Sequence, residues 1–385
     1  MKAGAVSPAI MRPPMHFGLD VRPSLRHPTG VGTYVLGLLE HLPRQAPEDR
    51  FTFFSASAKE RYPSRDWPAN VRLVDRRLPV AALNLAWSRL GWPPLDRLVG
   101  APLDLVHSPH PLIVPCRRGK QILTVHDLFF LKHPEMVHGD ARRDYVSRVR
   151  DHVKRADGVV CVSEYTASEV RHLLDVPEEK IAVTPHGIDP IFAQEPAPEA
   201  VEQALRRYGL PRGGILYLGS DEKRKNLVTL VMAYFALARK RRDVPPLVLV
   251  GPGSSWSQGG SRIGPQIRAT GYLPREDVRA LFAASAMLVL PSLEEGFGLP
   301  LVEAMAARLP VVCSTGSAFS EVAGDAALLV ETRETAPLAN AIARLLDDTA
   351  FAASLRERGQ ERSKQFDWRR TAELTLAFYR KVLGR

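Results

Sequence analysis

Short apolar runs alternate with amphipathic stretches along most of this chain. That alternation marks strands buried on both faces, joined by helices that cover them. His16–Val21, Phe51–Ser55, Val71–Asp75, Leu103–Ser108, Gln121–Val125, Asp157–Val162 and Ile181–Thr184 read as a first series of strands. Ile215–Gly219, Leu247–Gly253 and Met287–Leu290 belong to a second. Helical periodicity follows Tyr34 through His41, and returns near 200–208, over 227–240 and over 369–383. In residues 139–156, Tyr145, Val149 and Val153 fall at i, i+4 and i+8 on one face. Residues 80–100 read as helical segments with Trp87 and Trp92 on an apolar face, where core packing is the default. Ser163 precedes a helical stretch as its cap. The pattern predicts an α/β protein with a parallel sheet in each half.

One stretch carries more than packing. Met287–Leu290 ends at Pro291 and Ser292, then Glu294, Glu295, Gly296, Phe297 and Gly298 lead to Pro300 and an apolar helix. Proline suits the first turn of a helix, where its missing N–H is no loss. A strand, a glycine loop and a helix at the carboxyl edge of a parallel sheet present backbone N–H groups to an anion. Glu295 and Glu303 bracket the loop, Glu303 being placed in the first turn of the helix. Carboxylates accept from hydroxyls, so this is a fit for a diphosphate between two polyols. It is equally a helix start decorated with acids that complement its dipole. His16–Tyr34 repeats the layout, with Gly30 and Gly32 in its loop. His126 and Asp127 follow a strand, where α/β sites lie, although a lone histidine is more often structural. Arg224 and Lys225 stand at a strand–helix junction, either as a solvated turn or facing a leaving group.

These stretches resemble the signatures of the family-four retaining nucleotide-sugar glycosyltransferases. E-G-F-G-x-P-x-x-E-A-M-A stands complete from Glu295 to Ala306. T-G-V-G-x-Y, T-V-H-D-L, G-x-x-x-x-R-K-N and Gly271-Tyr272-Leu273-Pro274 add to it. Pro185-His186-Gly187-Ile188-Asp189 departs from the family's P-N-G-I-D at His186, and Arg308 stands where glycine is common. The resemblance implies two facing Rossmann-like domains of the GT-B type with the active site in the cleft. It makes Glu303 the ribose ligand, and puts Glu295 and the Phe297–Leu299 backbone, with Gly296 and Gly298, on sugar and phosphate. His126 is implied near the anomeric centre with Asp127 beside it, and Arg224 and Lys225 at the pyrophosphate. Gly30 and Gly32 face the donor, Gly251 walls the nucleotide pocket, and Tyr272 and Leu273 line the base. His126, Glu295, Arg224 and Lys225 are thus the catalytic candidates. The R-K-N form matches mannosyltransferase-like members and implies GDP-mannose as donor, with a hydroxyl of a glycan or lipid-linked glycan as acceptor. Retention at the anomeric carbon comes with the family.

The domain boundaries expected are a disordered leader over 1–14, a first domain over 15–195 joined by a C-terminal helix at 369–385, and a second over 196–368. Met15 is an alternative start. Composition is that of a globular protein, 45% hydrophobic and 24% charged. No apolar run reaches the ~20 residues of a membrane helix. Three scattered cysteines read as buried, reduced thiols in the cytosol. The net charge of +10 is spread over both halves and suits peripheral contact with anionic lipid. The aromatic–basic pattern of RNA readers is missing, which argues against nucleic acid as a partner. No D-x-D occurs, so neither metal nor cofactor is expected. Two rivals stand beside the transferase: an epimerase or phosphorylase on a similar scaffold, and a non-catalytic nucleotide or nucleic-acid binder.

Overall fold

A computed structural model describes residues 13–25, 30–136, 141–252 and 266–385, the side chains of 141–145 excepted. Among the described residues, thirteen strands form two sheets. The first holds β1 (His16–Asp20), β2 (Arg50–Ala56), β3 (Val71–Arg76), β4 (Leu105–Ser108), β5 (Lys120–Val125), β6 (Gly158–Cys161) and β7 (Ile181–Val183). Its order is 3-2-1-4-5-6-7. The second holds β8 (Ile215–Leu218), β9 (Leu247–Val250), β10 (Ile267–Gly271), β11 (Met287–Leu290), β12 (Val311–Ser314) and β13 (Leu328–Val330), in the order 10-9-8-11-12-13. The pairings are parallel, with Phe17 opposite both Phe51 and Leu105, and Val289 opposite Val312. In both sheets the order reverses beside the first strand, where α/β folds bind ligands.

The chain packs as two compact units, one of Met1–Leu123, Ala156–Gly158 and Leu376–Arg385, the other of Thr124–Arg155 and Val159–Thr375. In the first, Phe17, Phe51, Phe53 and Phe54 are buried. The end of the last helix, Trp368–Val382, supplies Tyr379, whose hydroxyl is hydrogen-bonded to His107 Nδ1 at 2.6 Å. Its Phe378 lies where a side chain on Gly158 would have to go. In the second unit the β11 side chains alternate between two cores. Leu288 and Leu290 join Leu301, Val302 and Phe319 on one face; Met287 and Val289 join Leu230, Tyr234 and Ile342 on the other. A run without polar positions is what such two-sided burial requires. Each fully buried side chain of this size contributes roughly 1.5–3 kcal/mol.

The first helix runs Gly30–Gln45, past His41 and through Pro43. The helices in 80–100 are Val80–Leu90 and Leu95–Val99. Trp87 is buried, but Trp92 lies between the helices and is 54% exposed, so the core reading fails for it. Val149 and Val153 are buried, while Tyr145 lies outside the described side chains. Cys161 and Cys313 are buried free thiols; Cys116 is only half-buried. Arg308 has φ +57°, a left-handed backbone that explains why glycine suits this position. Residues 1–12 and Gly253 lie outside the described residues.

Candidate active site

The loop between β11 and the helix Leu299–Ala306 is fixed by close backbone packing. A Cβ on Gly296 would sit 1.6 Å from the carbonyl oxygen of His126. The Gly296 carbonyl accepts from Ser163 Oγ at 2.7 Å and Thr166 Oγ1 at 3.2 Å. Ser163 also caps its own helix, accepting from the Thr166 N–H. Gly298 caps the next helix with φ +94°, and a Cβ there would strike Phe319. Phe297 is buried and Leu299 half-buried. Glu321 locks the far side, its carboxylate accepting from the N–H groups of Glu164 and Tyr165.

Glu295 is the centre of the charged cluster. Lys225 Nζ donates to its Oε1 at 2.5 Å, Arg224 Nη1 to its Oε2 at 3.3 Å, and Ser292 Oγ to its Oε1 at 2.7 Å. Burial alone would raise the carboxyl's pKa, but Lys225 and Arg224 outweigh it and hold it below the usual range. Arg224 also donates to Glu222, and Asp127 is among the charges that hold the guanidinium protonated against its burial. The Lys223–Lys225 turn ends at Asn226, in the left-handed conformation. Asn226 donates to the carbonyls of Thr332 and Pro291, and the Leu293 N–H donates to the Arg224 carbonyl. The R-K-N turn and the glycine loop therefore form one body. Glu295 thus holds both cations on one side of the loop, with Glu222 a second partner of Arg224.

Glu303 is placed differently from expectation. It is the fifth residue of its helix, in the second turn, and 6% exposed. It is therefore not a surface acid tuned to the dipole. Arg275 Nη2 donates to its Oε1 at 3.1 Å. Burial pushes its carboxyl up to about 7, with Arg275 opposing and Asp189 adding. His126 and His186 pack against the loop itself. The His186 ring is buried, 4.8 Å from Phe297 and 5.6 Å from His126, so the residue that departs from the family motif acts as packing. Burial drives its pKa well below the usual value. The Asp127 carboxylate accepts from the Phe129 N–H.

Gly251 has φ +137°, and a Cβ there would lie 2.1 Å from the Gly219 carbonyl oxygen, which ties the end of β9 to that of β8. Leu273 is buried and Tyr272 is 46% exposed. Gly30 and Gly32 stand in the first turn of the first helix, in the other compact unit. Sequence reasoning missed several groups. Ser292 sits three residues before Glu295, a spacing that hints at its bond. Arg275 carries no motif. Lys132 Nζ donates to Glu169, to Glu294 at 2.8 Å and to Tyr165 at 2.9 Å, and no spacing in the chain announces the first two bonds. Glu294 Oε1 and Glu169 Oε2 are buried without a donor. Burial raises the pKa of the Glu294 carboxyl.

This arrangement can hold an anion beside Arg224 and Lys225 and accept from hydroxyls at its rim. Comparison with known proteins gives it a family. Residues 28–192 match the family described as Glycosyltransferase Family 4, and residues 212–348 match glycosyl transferases group 1. The O-antigen chain mannosyltransferase B of Escherichia coli is 31% identical over 72% of this chain and 74% of its own. This chain belongs to the family-four glycosyltransferases. The serotype-specific mannosyltransferase WbdA of Escherichia coli is 29% identical over 69% of this chain, which spans 34% of that longer protein. Among solved structures, WaaG, a glycosyltransferase involved in lipopolysaccharide biosynthesis, superposes with a TM-score of 0.70 at 17% identity, over 93% of this chain and 97% of that one. At that identity the likeness speaks for the fold alone: the two parallel sheets are those of a GT-B glycosyltransferase. Among the described residues, no helix is long and apolar enough to cross a membrane. Nor does any group of three or more His, Cys, Asp and Glu there form a metal site.

Proposed function

We propose that this glycosyltransferase moves mannose from GDP-mannose to a hydroxyl of a glycan or lipid-linked glycan during synthesis of a cell-envelope polysaccharide, with retention at the anomeric carbon. The observation that carries the reading is the Glu295 cluster. A glycine loop, Arg224 and Lys225 are bound into one rigid body, with both cations held in place by Glu295. Such preorganised charge stabilises a departing diphosphate. In this mechanism the Glu295 carboxylate orients the sugar, and Glu303 accepts from the ribose hydroxyls. The acceptor attacks from the face the diphosphate leaves, and a phosphate oxygen takes its proton. The new glycosidic bond forms as the sugar–phosphate bond breaks, releasing GDP. The mannosyltransferase relatives support the sugar, and the R-K-N turn supports the donor. The cations of the protein supply the charge that a metal would, so turnover is metal-independent in this reading.

The location proposed is the inner face of the membrane. On the helix Val80–Leu90, Leu85 is 51% and Leu90 75% exposed, and Trp92 follows. Arg97 lies over the Trp92 ring, and Arg97 and Arg117 line a cavity of about 530 Å³ beside it. No acid occurs from Val80 to Trp92. Apolar and aromatic side chains rimmed by arginine suit an anionic headgroup layer.

The test is a donor panel read by thermal shift, followed by NMR of the product formed from GDP-mannose in the presence of EDTA. An α-mannoside at full rate in chelator supports the proposal. An inverted product, loss of turnover restored by Mn²⁺, or consumption of donor into an epimer without acceptor would overturn it.

A further inference from the structure

Glu303 meets two other elements through one guanidinium. Arg275 opens the helix Arg275–Ala284, directly after Pro274. Its Nη2 donates to Glu303 Oε1 at 3.1 Å, and its Nε donates to Asp189 Oδ2 at 3.2 Å. Its guanidinium lies 4.9 Å from the centre of the Phe192 ring, which fixes its plane. Asp189 is held as well, because its Oδ1 caps the turn Pro190–Ala193 by accepting the Ile191 N–H. One cation is thus divided between two carboxylates, one of them almost wholly buried.

We propose that Arg275 is a positioning residue of the nucleotide site: shared between Glu303 and Asp189, it decides how readily Glu303 presents a carboxylate to the ribose hydroxyls. This rests on the reading of Glu303 as the ribose acceptor. A carboxylate offers lone pairs to two hydroxyls, whereas a protonated carboxyl gives up part of that capacity. Burial favours the neutral form, Arg275 the charged form, and Asp189 draws on the same cation while adding its own repulsion. Elements packed against the Glu303 helix bring apolar surface there. Gly359 of the helix Thr349–Ser363 packs on Met305, Phe319 lies against Gly298, and β11 and β12 are buried strands. The charges that act on Glu303 are therefore those of Arg275 and Asp189.

The sign follows. A carboxyl raised to about 7 is half neutral at pH 7 and loses its charge as the pH falls further. Asp189→Asn keeps the cap, since asparagine also caps helices, but releases Arg275 to Glu303. That variant should bind nucleotide more tightly at pH 6–7 than the wild type does. Arg275→Gln should bind roughly five-fold more weakly at pH 7 and recover to within about two-fold at pH 9, the pattern of a pKa raised by about one unit. A merely structural loss would not recover with alkali.

The experiment uses the full chain and GDP. Calorimetric affinity is taken from pH 5.5 to 9 for the wild type, Asp189→Asn, Arg275→Gln and Arg275→Lys. Each profile is divided by that of Glu303→Gln, which removes the titration of the phosphates themselves. Difference infrared spectra against Glu303→Gln read the protonation of Glu303 without nucleotide. Midpoints that move down for Asp189→Asn and up for Arg275→Gln in both readouts, with Arg275→Lys between, support the proposal. Unmoved midpoints, or both moving the same way, overturn it while leaving the ribose reading intact if Glu303→Gln still weakens GDP. Should Glu303→Gln bind GDP like the wild type at pH 9, the ribose reading itself fails, and the role given to Arg275 falls with it.

Discussion

Glu295 shows how a charge is made useful by its neighbours. The group is mostly buried, yet its pKa is lowered, because Lys225 and Arg224 outweigh the cost of burial. A carboxylate held below its ordinary range adds stability that is present above about pH 4.5 and is lost as the pH falls through the folded value. Glu295→Gln should therefore lower Tm at pH 7 and converge on the wild type as the pH falls below the ordinary carboxylate range. Losing a charged hydrogen bond costs roughly 1.5–3 kcal/mol, so turnover should fall about ten- to hundred-fold if the contact belongs to the transition state. Affinity for free GDP should stay within about two-fold. A variant that loses nucleotide affinity and keeps kcat would reverse this assignment. At this scale the chain was legible where a motif is contiguous. Glu295, Arg224 and Lys225, singled out from two contiguous motifs, meet in one charged cluster. Arg275 was not singled out, because its partners lie 28 and 86 positions away and are met only through the fold. The same holds for Lys132 and its carboxylates, joined across 37 positions to Glu169.

Among the elements, the strand–loop–helix unit was readable because each part obeys a local rule. β11 is an unbroken apolar run, Pro300 starts the helix, and the glycines are where no side chain fits. What could not be read was why those glycines are needed. Gly298 satisfies a positive φ, a local reason. Gly296 answers to the His126 carbonyl, 170 residues away in the chain, and to the hydroxyls of Ser163 and Thr166. Element ends were also out of reach: β9 stops at Val250, not Gly253, and Glu303 falls in the second turn, not the first. A testable consequence separates the two glycines. Gly296→Ala places a methyl 1.6 Å from a backbone oxygen, so the loop must move away from His126. Strain of this kind costs on the order of 1–3 kcal/mol, and displacing a reacting geometry by about 1 Å costs about a hundred-fold in rate. The expected result is a protein that still melts cooperatively but has lost most of its kcat. Full activity in Gly296→Ala would show that the contact does not position the site.

For the molecule as a whole, charge and exposed apolar surface combine into a prediction about location. The net charge of +10 is spread over the chain and by itself gives weak, salt-screened attraction to anionic lipid. The helix Val80–Leu90 adds a focus, since Leu85, Leu90 and Trp92 are exposed beside Arg97 and Arg117. Large apolar side chains left to water in one place usually mark an interaction surface. Each basic residue near a charged bilayer contributes roughly 1 kcal/mol, and that part falls with ionic strength, whereas inserted apolar area does not. Two variants distinguish the contributions. Arg97→Glu with Arg117→Glu should abolish sedimentation with phosphatidylglycerol vesicles at low salt. Leu90→Ser with Trp92→Ser should leave a residual attraction that vanishes by about 0.5 M salt, where the Debye length is only a few ångströms. Neither change touches a residue of the Glu295 cluster, so turnover with a water-soluble acceptor should be unaltered in both. Should all four substitutions sediment like the wild type at both salt concentrations, lipid contact would have to be carried elsewhere on the basic surface, and the helix Val80–Leu90 would have no part in it.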